Sequence, residues 1–322
     1  MTYSKVNNKK FKVAIIGAGF MAQEHIKVFK AIKEIELCGI YSRTKVRAQE
    51  VSLLMECGFA YDSISELYEK SKPDLVIICV SELSLFEVCK EVFTYPWMCL
   101  IEKPVGYDLE EARKILNCAN QYNQHPFVAL NRRHYSSTRT IIQDIAGDSM
   151  PRLIHIMDQE DLVAAEVAGK PKLVLKNWMY ANSIHLIDCF NLFARGNVLS
   201  VDRIIPWTPE APWLVMAKIT YDSGDIGFYE AIWNGPGPWA VSVSSQLKRW
   251  EMRPMEQCAI QIAGSRVMER VTIDSCDINF KPGLFMQAKE SVKALMGLPH
   301  LLPTLGDVMK SMVLVGKIYE EG

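Results

Sequence analysis

The chain has 322 residues, 49% of them hydrophobic and 23% charged, and its formal net charge is −1. That length is more than one small core serves and, with ordinary globular composition, points to two domains. The near-neutral balance argues against a surface built for nucleic acid or an anionic membrane, so any phosphate recognition has to be local.

Over residues 11–130 short apolar runs alternate with helical patterns. The runs FKVAIIG, IELCGIY, DLVIICV, WMCLIEK and PFVAL are continuous and rich in β-branched residues, as strands buried on both faces are. Helical stretches between them, such as MAQEHIKVFKAI and DLEEARKILNCANQY, imply parallel crossovers. The expectation for residues 1–130 is a doubly wound α/β domain of Rossmann type, with its ligand at the carboxyl ends of the strands. From 131 to 322 the pattern changes to RLIHIM, a helix around 180–194, then WLVMAKITY, DIGFYEAIW, WAVSVSSQL and CAIQIAG. The breaks DSGD (222–225) and NGPGP (234–238) predict consecutive hairpins. An α+β domain with a large, mostly antiparallel sheet follows, closed by helices at about 283–296 and 304–320 that would pack back on the first domain. RWEMRPMEQ (249–257) reads as a strand without a chemical role.

The nine cysteines are odd in number, lack CxxC spacing and lie partly within apolar runs, the pattern of reduced, buried thiols. The start, MTYSKVNNKK, is polar, and no apolar run approaches the roughly 18 residues of a membrane span. A cytoplasmic location is expected.

VAIIGAGFMAQEH gives Gly17, Gly19 and Ala22 as G-x-G-x-x-A between the first strand and first helix. Gly17 allows a tight turn, Gly19 lets a pyrophosphate approach the backbone, and Ala22 is small enough for close helix–strand packing. Phe20 and Met21 open the helix whose free N–H groups would face the phosphates. An NAD site usually has an acidic residue after the second strand, where this chain has Ser42 and Arg43. A hydroxyl and a guanidinium suit a 2′-phosphate, with Lys45 and Arg47 adding charge, so NADP(H) is favoured over NAD(H). The plainer alternative for Arg43 is a surface residue near the adenine.

LIEKPVG (100–106) places Lys103 just beyond a central parallel strand, at the edge where ligands bind. A lysine there can donate or accept a proton while a hydride moves. Glu102 would orient that ammonium or contact cofactor or backbone. In NWMYANSIHLIDCFNLF, Asn182, His185 and Asp188 fall at successive i, i+3 positions on one arc, opposite Leu186, Ile187, Phe190 and Phe193. This reading puts His185 outside the core, at the surface or facing a cleft. With no second histidine at i+4, no metal site is expected.

With these residues assembled, the chain resembles the Gfo/Idh/MocA family of glucose–fructose oxidoreductase and inositol dehydrogenase. GAGFMA, LIEKPVGYDLEEARKI, VALNRRHYSS, SIHLID, KPGLFMQAKESV and DVMKSMVLVGKIYE match its segments in order over nearly the whole chain. The resemblance implies a nicotinamide-dependent dehydrogenase acting on sugars, cyclitols or nucleotide-linked sugars, with Lys103 and His185 as the acid–base pair. It further implies that Asn182 and Asp188 position substrate or the histidine. Arg132 and Arg133 would lie near the domain junction, as a substrate-anion site or a structural ion pair. A homodimer or homotetramer through the C-terminal sheet is expected.

Two departures stand out. Ser81 and Glu82 occupy the place of a T-P-N-x-x-H-like loop on the cofactor side, and Ala181 and Ser183 replace the first two positions of D-x-G-x-H-x-x-D. They keep open a non-catalytic NADP(H)-binding redox sensor, and an NAD-dependent glycosidase of the same fold is a further alternative. Of the six tryptophans beyond residue 150, most are read as sheet or interface residues. Trp178, directly before the candidate helix, is read as a substrate contact.

Overall fold

The computed structural model describes residues 10–320. Its first sheet has six parallel strands, β1 Phe11–Ile16, β2 Ile35–Tyr41, β3 Phe59–Tyr61, β4 Leu75–Ile78, β5 Met98–Glu102 and β6 Phe127–Ala129, in the order β3-β2-β1-β4-β5-β6. Helices α1 Phe20–Lys30, α2 Lys45–Met55, α3 Ile64–Ser71, α4 Leu85–Val92 and α5 Leu109–Gln121 connect them. Val13–Ile16 and Leu75–Ile78 are wholly buried, since helices cover both faces of these central strands. The strand order reverses between β1 and β4, and ligands of such sheets bind at that switch point. The apolar runs foretold every strand but β3, a three-residue edge strand with Phe59 exposed, too short to show a period.

The second half begins with α6 Ser136–Ile145, β7 Leu153–Glu160, the short helices α7 Leu162–Val167 and α8 Lys172–Lys176, a wide π-type turn over Met179–Ser183, and α9 Ile184–Phe193. Strands β8 Val198–Ile205, β9 Leu214–Tyr221, β10 Ile226–Trp233, β11 Ala240–Ser244, β12 Lys248–Met252, β13 Cys258–Ile262 and β14 Glu269–Val271 follow. Helices α10 Cys276–Asn279, α11 Leu284–Leu295 and α12 Leu305–Tyr319 come last. The eight strands are ordered β14-β13-β12-β11-β7-β10-β9-β8, antiparallel except for the parallel pair β7–β10. Edge strand β8 has no apolar alternation and the sequence did not announce it.

DSGD does form a hairpin, joining β9 to β10. NGPGP does not: β10 and β11 lie on opposite sides of β7, so this turn carries the chain across the end of β7. A turn-rich break tells where a chain reverses, not which strand it returns beside. Residues of β7, β9 and β10 alternate between buried and half-exposed. The buried face packs on α9, and α12 in turn packs on α9. The two closing helices also reach the first half, α11 against α1 and α12 against α5, while Phe127 of β6 bridges to Thr304.

One polar anchor holds the β9–β10 corner. Asp225 is fully buried. Its Oδ1 accepts from the Arg152 backbone N–H at 2.9 Å and from Arg195 Nη2 at 2.6 Å, and its Oδ2 accepts from the Arg195 backbone N–H at 2.8 Å. Removing the carboxylate leaves a guanidinium and two backbone N–H groups without their acceptor. Asp225→Ala is expected to lower the unfolding free energy by about 3–5 kcal/mol, read from the urea midpoint at constant slope. A loss below about 1 kcal/mol would make the pair no more important than a surface ion pair.

Candidate active site

The turn after β1 requires glycine. Gly17 has φ +113°, its N–H donates to Tyr41 O at 2.7 Å, and a Cβ there would lie 2.0 Å from Cys79 O. Gly19 differs: a Cβ built on it meets nothing within 4 Å, so that side of the loop is open for a group to approach the backbone. Gly19 also caps α1 without a side-chain acceptor for the first-turn N–H groups. Ala22 is fully buried beneath the loop. A cavity of about 370 Å³ is lined by Gly17, Gly19, Ser42, Arg43, Arg47 and Ser81, among others. These residues fit a dinucleotide: Gly19 leaves room for a pyrophosphate, and Ser42 and Arg43 bring polar groups to the same cavity.

Other sequence candidates on this side differ from expectation. Met21 packs half-buried against the core of the first sheet, whereas Phe20 is 66% exposed. Lys45 is paired with Asp62 at 2.6 Å and is not free for a phosphate. Glu102 does not orient the lysine ammonium. Its Oε1 lies 2.7 Å from His25 Nε2 and its Oε2 accepts the Lys103 backbone N–H at 3.1 Å, so it fastens the end of β5 to α1. In the departing Ser81–Glu82 loop, Ser81 lines the cavity and Glu82 pairs with Lys170 of the second half at 2.7 Å.

Lys103 leaves the end of β5 partly buried, and its Nζ donates to Ala181 O at 3.1 Å. That carbonyl lies four residues before His185. Burial, with the charge of Arg132, lowers the lysine pKa to about 8. His185 is 4% exposed, so it is not the surface residue that the helical arc left open. Helix α9 is covered on both arcs because it lies between the second sheet and α12. Burial first, then the charges of Arg132, Lys103 and Lys281, holds the imidazole well below its usual pKa and therefore neutral at pH 7. Its Nδ1 is buried without a hydrogen-bond partner among the described residues.

The expected common arc of Asn182, His185 and Asp188 does not form. The wide turn at Met179–Ser183 takes Asn182 out of α-helical register. Its Nδ2 donates to Glu160 Oε2 at 2.8 Å, beside the Trp178 Nε1–H at 2.7 Å, and Ser183 Oγ donates to Glu160 Oε1 at 2.9 Å. Asp188 is gripped by Arg133 through two 2.7 Å hydrogen bonds and by Ser311 Oγ of α12 at 2.6 Å. The Arg133–Asp188 pair is thus a structural tie. Arg132 instead stacks over Trp239, 4.7 Å from the ring centroid.

Four residues here were not singled out from the sequence. Trp239 stands 6.4 Å from the His185 ring and shares with Trp178 and Asn182 a cavity of about 290 Å³. No local pattern marks it. Glu160 and its neighbour Asp158 did leave a signal, two acids at i, i+2 in MDQE, hence on one face of a strand. Both are 1% exposed, and burial raises both carboxyls, Glu160 the more strongly. Lys281 lies in the KPGL segment, 5.7 Å from the Phe20 ring centroid.

Residues 11–130 match the model of the Gfo/Idh/MocA family, described as an oxidoreductase family with a NAD-binding Rossmann fold. Among curated relatives, UDP-N-acetylglucosamine 3-dehydrogenase of Acidithiobacillus ferrooxidans is 28% identical over 145 residues, 44% of each chain. The rhizopine catabolism protein MocA of Rhizobium meliloti is 24% identical over 144 residues, 45% of each chain. The matched stretch thus spans less than half the length of these relatives. Likeness of fold runs further. The solved UDP-N-acetylglucosamine 3-dehydrogenase GnnA of A. ferrooxidans superimposes with TM-score 0.77 over 96% of both chains at 19% identity. A structure described as a putative NADPH-dependent oxidoreductase of Desulfitobacterium hafniense reaches 0.80 over 96% of this chain and 94% of that one, at 15% identity. Over residues 11–130 the chain matches the Rossmann-fold model of the Gfo/Idh/MocA family, and beyond them its likeness to solved structures is one of fold.

Proposed function

We propose that the protein is a nicotinamide-dependent dehydrogenase or reductase acting on a secondary alcohol or ketone of a sugar, a cyclitol or a nucleotide-linked sugar. Residues 1–130 hold the dinucleotide in this reading and 131–322 the substrate. The observation that carries it is the Lys103 ammonium, presented at the carboxyl end of β5 and bonded across to the carbonyl at the foot of the His185 helix. A bound nicotinamide supplies the donor or acceptor of hydride. Lys103 takes the hydroxyl proton during oxidation and returns it during reduction, and as an ammonium it stabilises negative charge developing on the oxygen. A pKa of about 8 leaves both forms populated near neutrality. His185, held neutral, shares or relays that proton as a hydrogen-bond partner and not as a cation.

Lys103→Ala is expected to reduce turnover by about a hundredfold or more while dinucleotide affinity, followed by fluorescence, is unchanged. Near-normal turnover on an identified substrate rejects the assignment. The base form of Lys103 appears as pH rises through about 8. Alcohol oxidation should therefore accelerate through that pH and level off above it, and carbonyl reduction should slow over the same interval. A profile flat across pH 7–9 in both directions contradicts a lysine acid–base.

NADP(H) over NAD(H) is supported by the absence of a carboxylate at the end of β2 and by Arg43 and Arg47 along the cavity. Arg43→Ala is expected to weaken NADPH binding about tenfold, the scale of one charge-assisted hydrogen bond, and to spare NADH. Equal losses for both cofactors argue against a 2′-phosphate contact. A homodimer or homotetramer through the second sheet is supported by its outer face, where Met157, Met216, Phe228 and Ile232 are half-exposed around Glu230 on neighbouring strands. Light scattering should find a mass of two or four chains, and a monomer at micromolar concentration rejects this.

A further inference from the structure

The charges around His185 do not balance. Arg132 and His185 flank one indole, that of Trp239, at 4.7 Å and 6.4 Å from its ring centroid. Trp239 is itself fixed, its Nε1–H donating to Gln159 O at 2.8 Å. Lys103 reaches the region through the Ala181 carbonyl, and Lys281 enters from beside Phe20. The positive charges of Arg132, Lys103 and Lys281 all act on His185.

The nearby carboxylates are committed elsewhere. Glu102 holds His25, Glu82 holds Lys170, and Asp188 holds Arg133. Glu160 accepts from Trp178, Asn182 and Ser183, and Asp158 accepts from the Tyr229 hydroxyl at 2.7 Å. Glu256 and Asp158 act on Arg132, and Glu102 and Glu82 on Lys103, all from beyond ion-pair distance. Among the described residues, no carboxylate lies within ion-pair distance of Arg132, Lys103 or Lys281.

Gathering a permanent guanidinium and two ammonium groups around a buried imidazole is unfavourable unless an anion joins them. An oxidised nicotinamide adds positive charge, and a neutral polyol relieves none of it. Building on the dehydrogenase reading, we infer that the substrate carries an oxyanion, a carboxylate or a phosphate, close to its reacting carbon, and that Arg132 is the receptor for it. Arg132 lies over the Trp239 ring and, among the described residues, its guanidinium donates no hydrogen bond, so its planar fork is available to match the oxygens of either anion. Lys103 thereby serves the reacting hydroxyl while Arg132 holds the charge, which fixes which carbon faces the hydride.

The test uses NADPH-loaded protein titrated with glucose, gluconate and glucose 6-phosphate, followed by tryptophan fluorescence, in wild type and Arg132→Met. Methionine keeps an apolar side chain against Trp239 and removes the charge. The wild type should bind gluconate, glucose 6-phosphate or both about tenfold or more tightly than glucose. Arg132→Met should lose that preference with NADPH affinity unchanged. Preference for gluconate alone identifies a carboxylate, and for glucose 6-phosphate alone a phosphate. Independently of any variant, the wild-type preference should shrink between roughly 0.05 and 0.5 M salt. This readout decides the matter if the variant fails to fold.

Failure of both acids to bind the wild type more tightly than glucose overturns the inference and leaves the dehydrogenase reading standing. So does a preference that persists in folded Arg132→Met. If neither NADPH nor NADH perturbs the fluorescence of the wild type, the dehydrogenase reading itself falls, and the inference with it.

Discussion

Glu160 takes three hydrogen bonds from one short turn, through Trp178, Asn182 and Ser183, while itself almost wholly buried. A buried carboxylate with its lone pairs occupied is held in place, and it holds its donors in place in return. The turn it grips starts helix α9 and presents the Ala181 carbonyl to Lys103. The contact of the lysine from the first sheet with the Ala181 carbonyl of the second half therefore depends on an acid that need not touch a substrate. Glu160 stands at the last position of β7, a strand central to the second sheet, so the sheet's own rigidity passes into the site.

A second set of ties works from the other side. The Glu102–His25 pair fastens the end of β5 to α1, the helix that carries the glycine loop. Glu82–Lys170 and Arg133–Asp188–Ser311 each join segments far apart in the chain. In each case a carboxylate is spent on architecture, and among the described residues none forms an ion pair with Arg132, Lys103 or Lys281. The two departures from the usual family pattern fit the same picture. Glu82 links the halves, and Ser183 gives Glu160 a donor where glycine would give none.

Local signals made the first half readable. Continuous β-branched runs appear only where both faces of a strand are covered, and the glycine spacing records a turn that a Cβ would block. These properties act over a few residues and are written in consecutive letters. In the second half the individual strands were readable by alternation, yet their order was not. The insertion of β7 between β10 and β11 leaves no mark in NGPGP, and edge strands β3 and β8 lack the burial that creates a pattern.

The candidate site divides along the same line. From residue types and spacing alone came Gly17, Gly19, Ser42 and Arg43, which line one cavity, and Lys103 at the end of its strand. Whether Arg132 or Arg133 is tied into an ion pair was decided only by folding, because the choice rests on which arginine finds Asp188, 55 residues away. The burial of His185, the diversion of Asn182 to Glu160 and the arrival of Trp239 are likewise long-range outcomes. A sequence records the short-range sterics and periodicity of each element. Which charge is neutralised and which left over depends on contacts between distant segments, and these exist only once the sheets have packed.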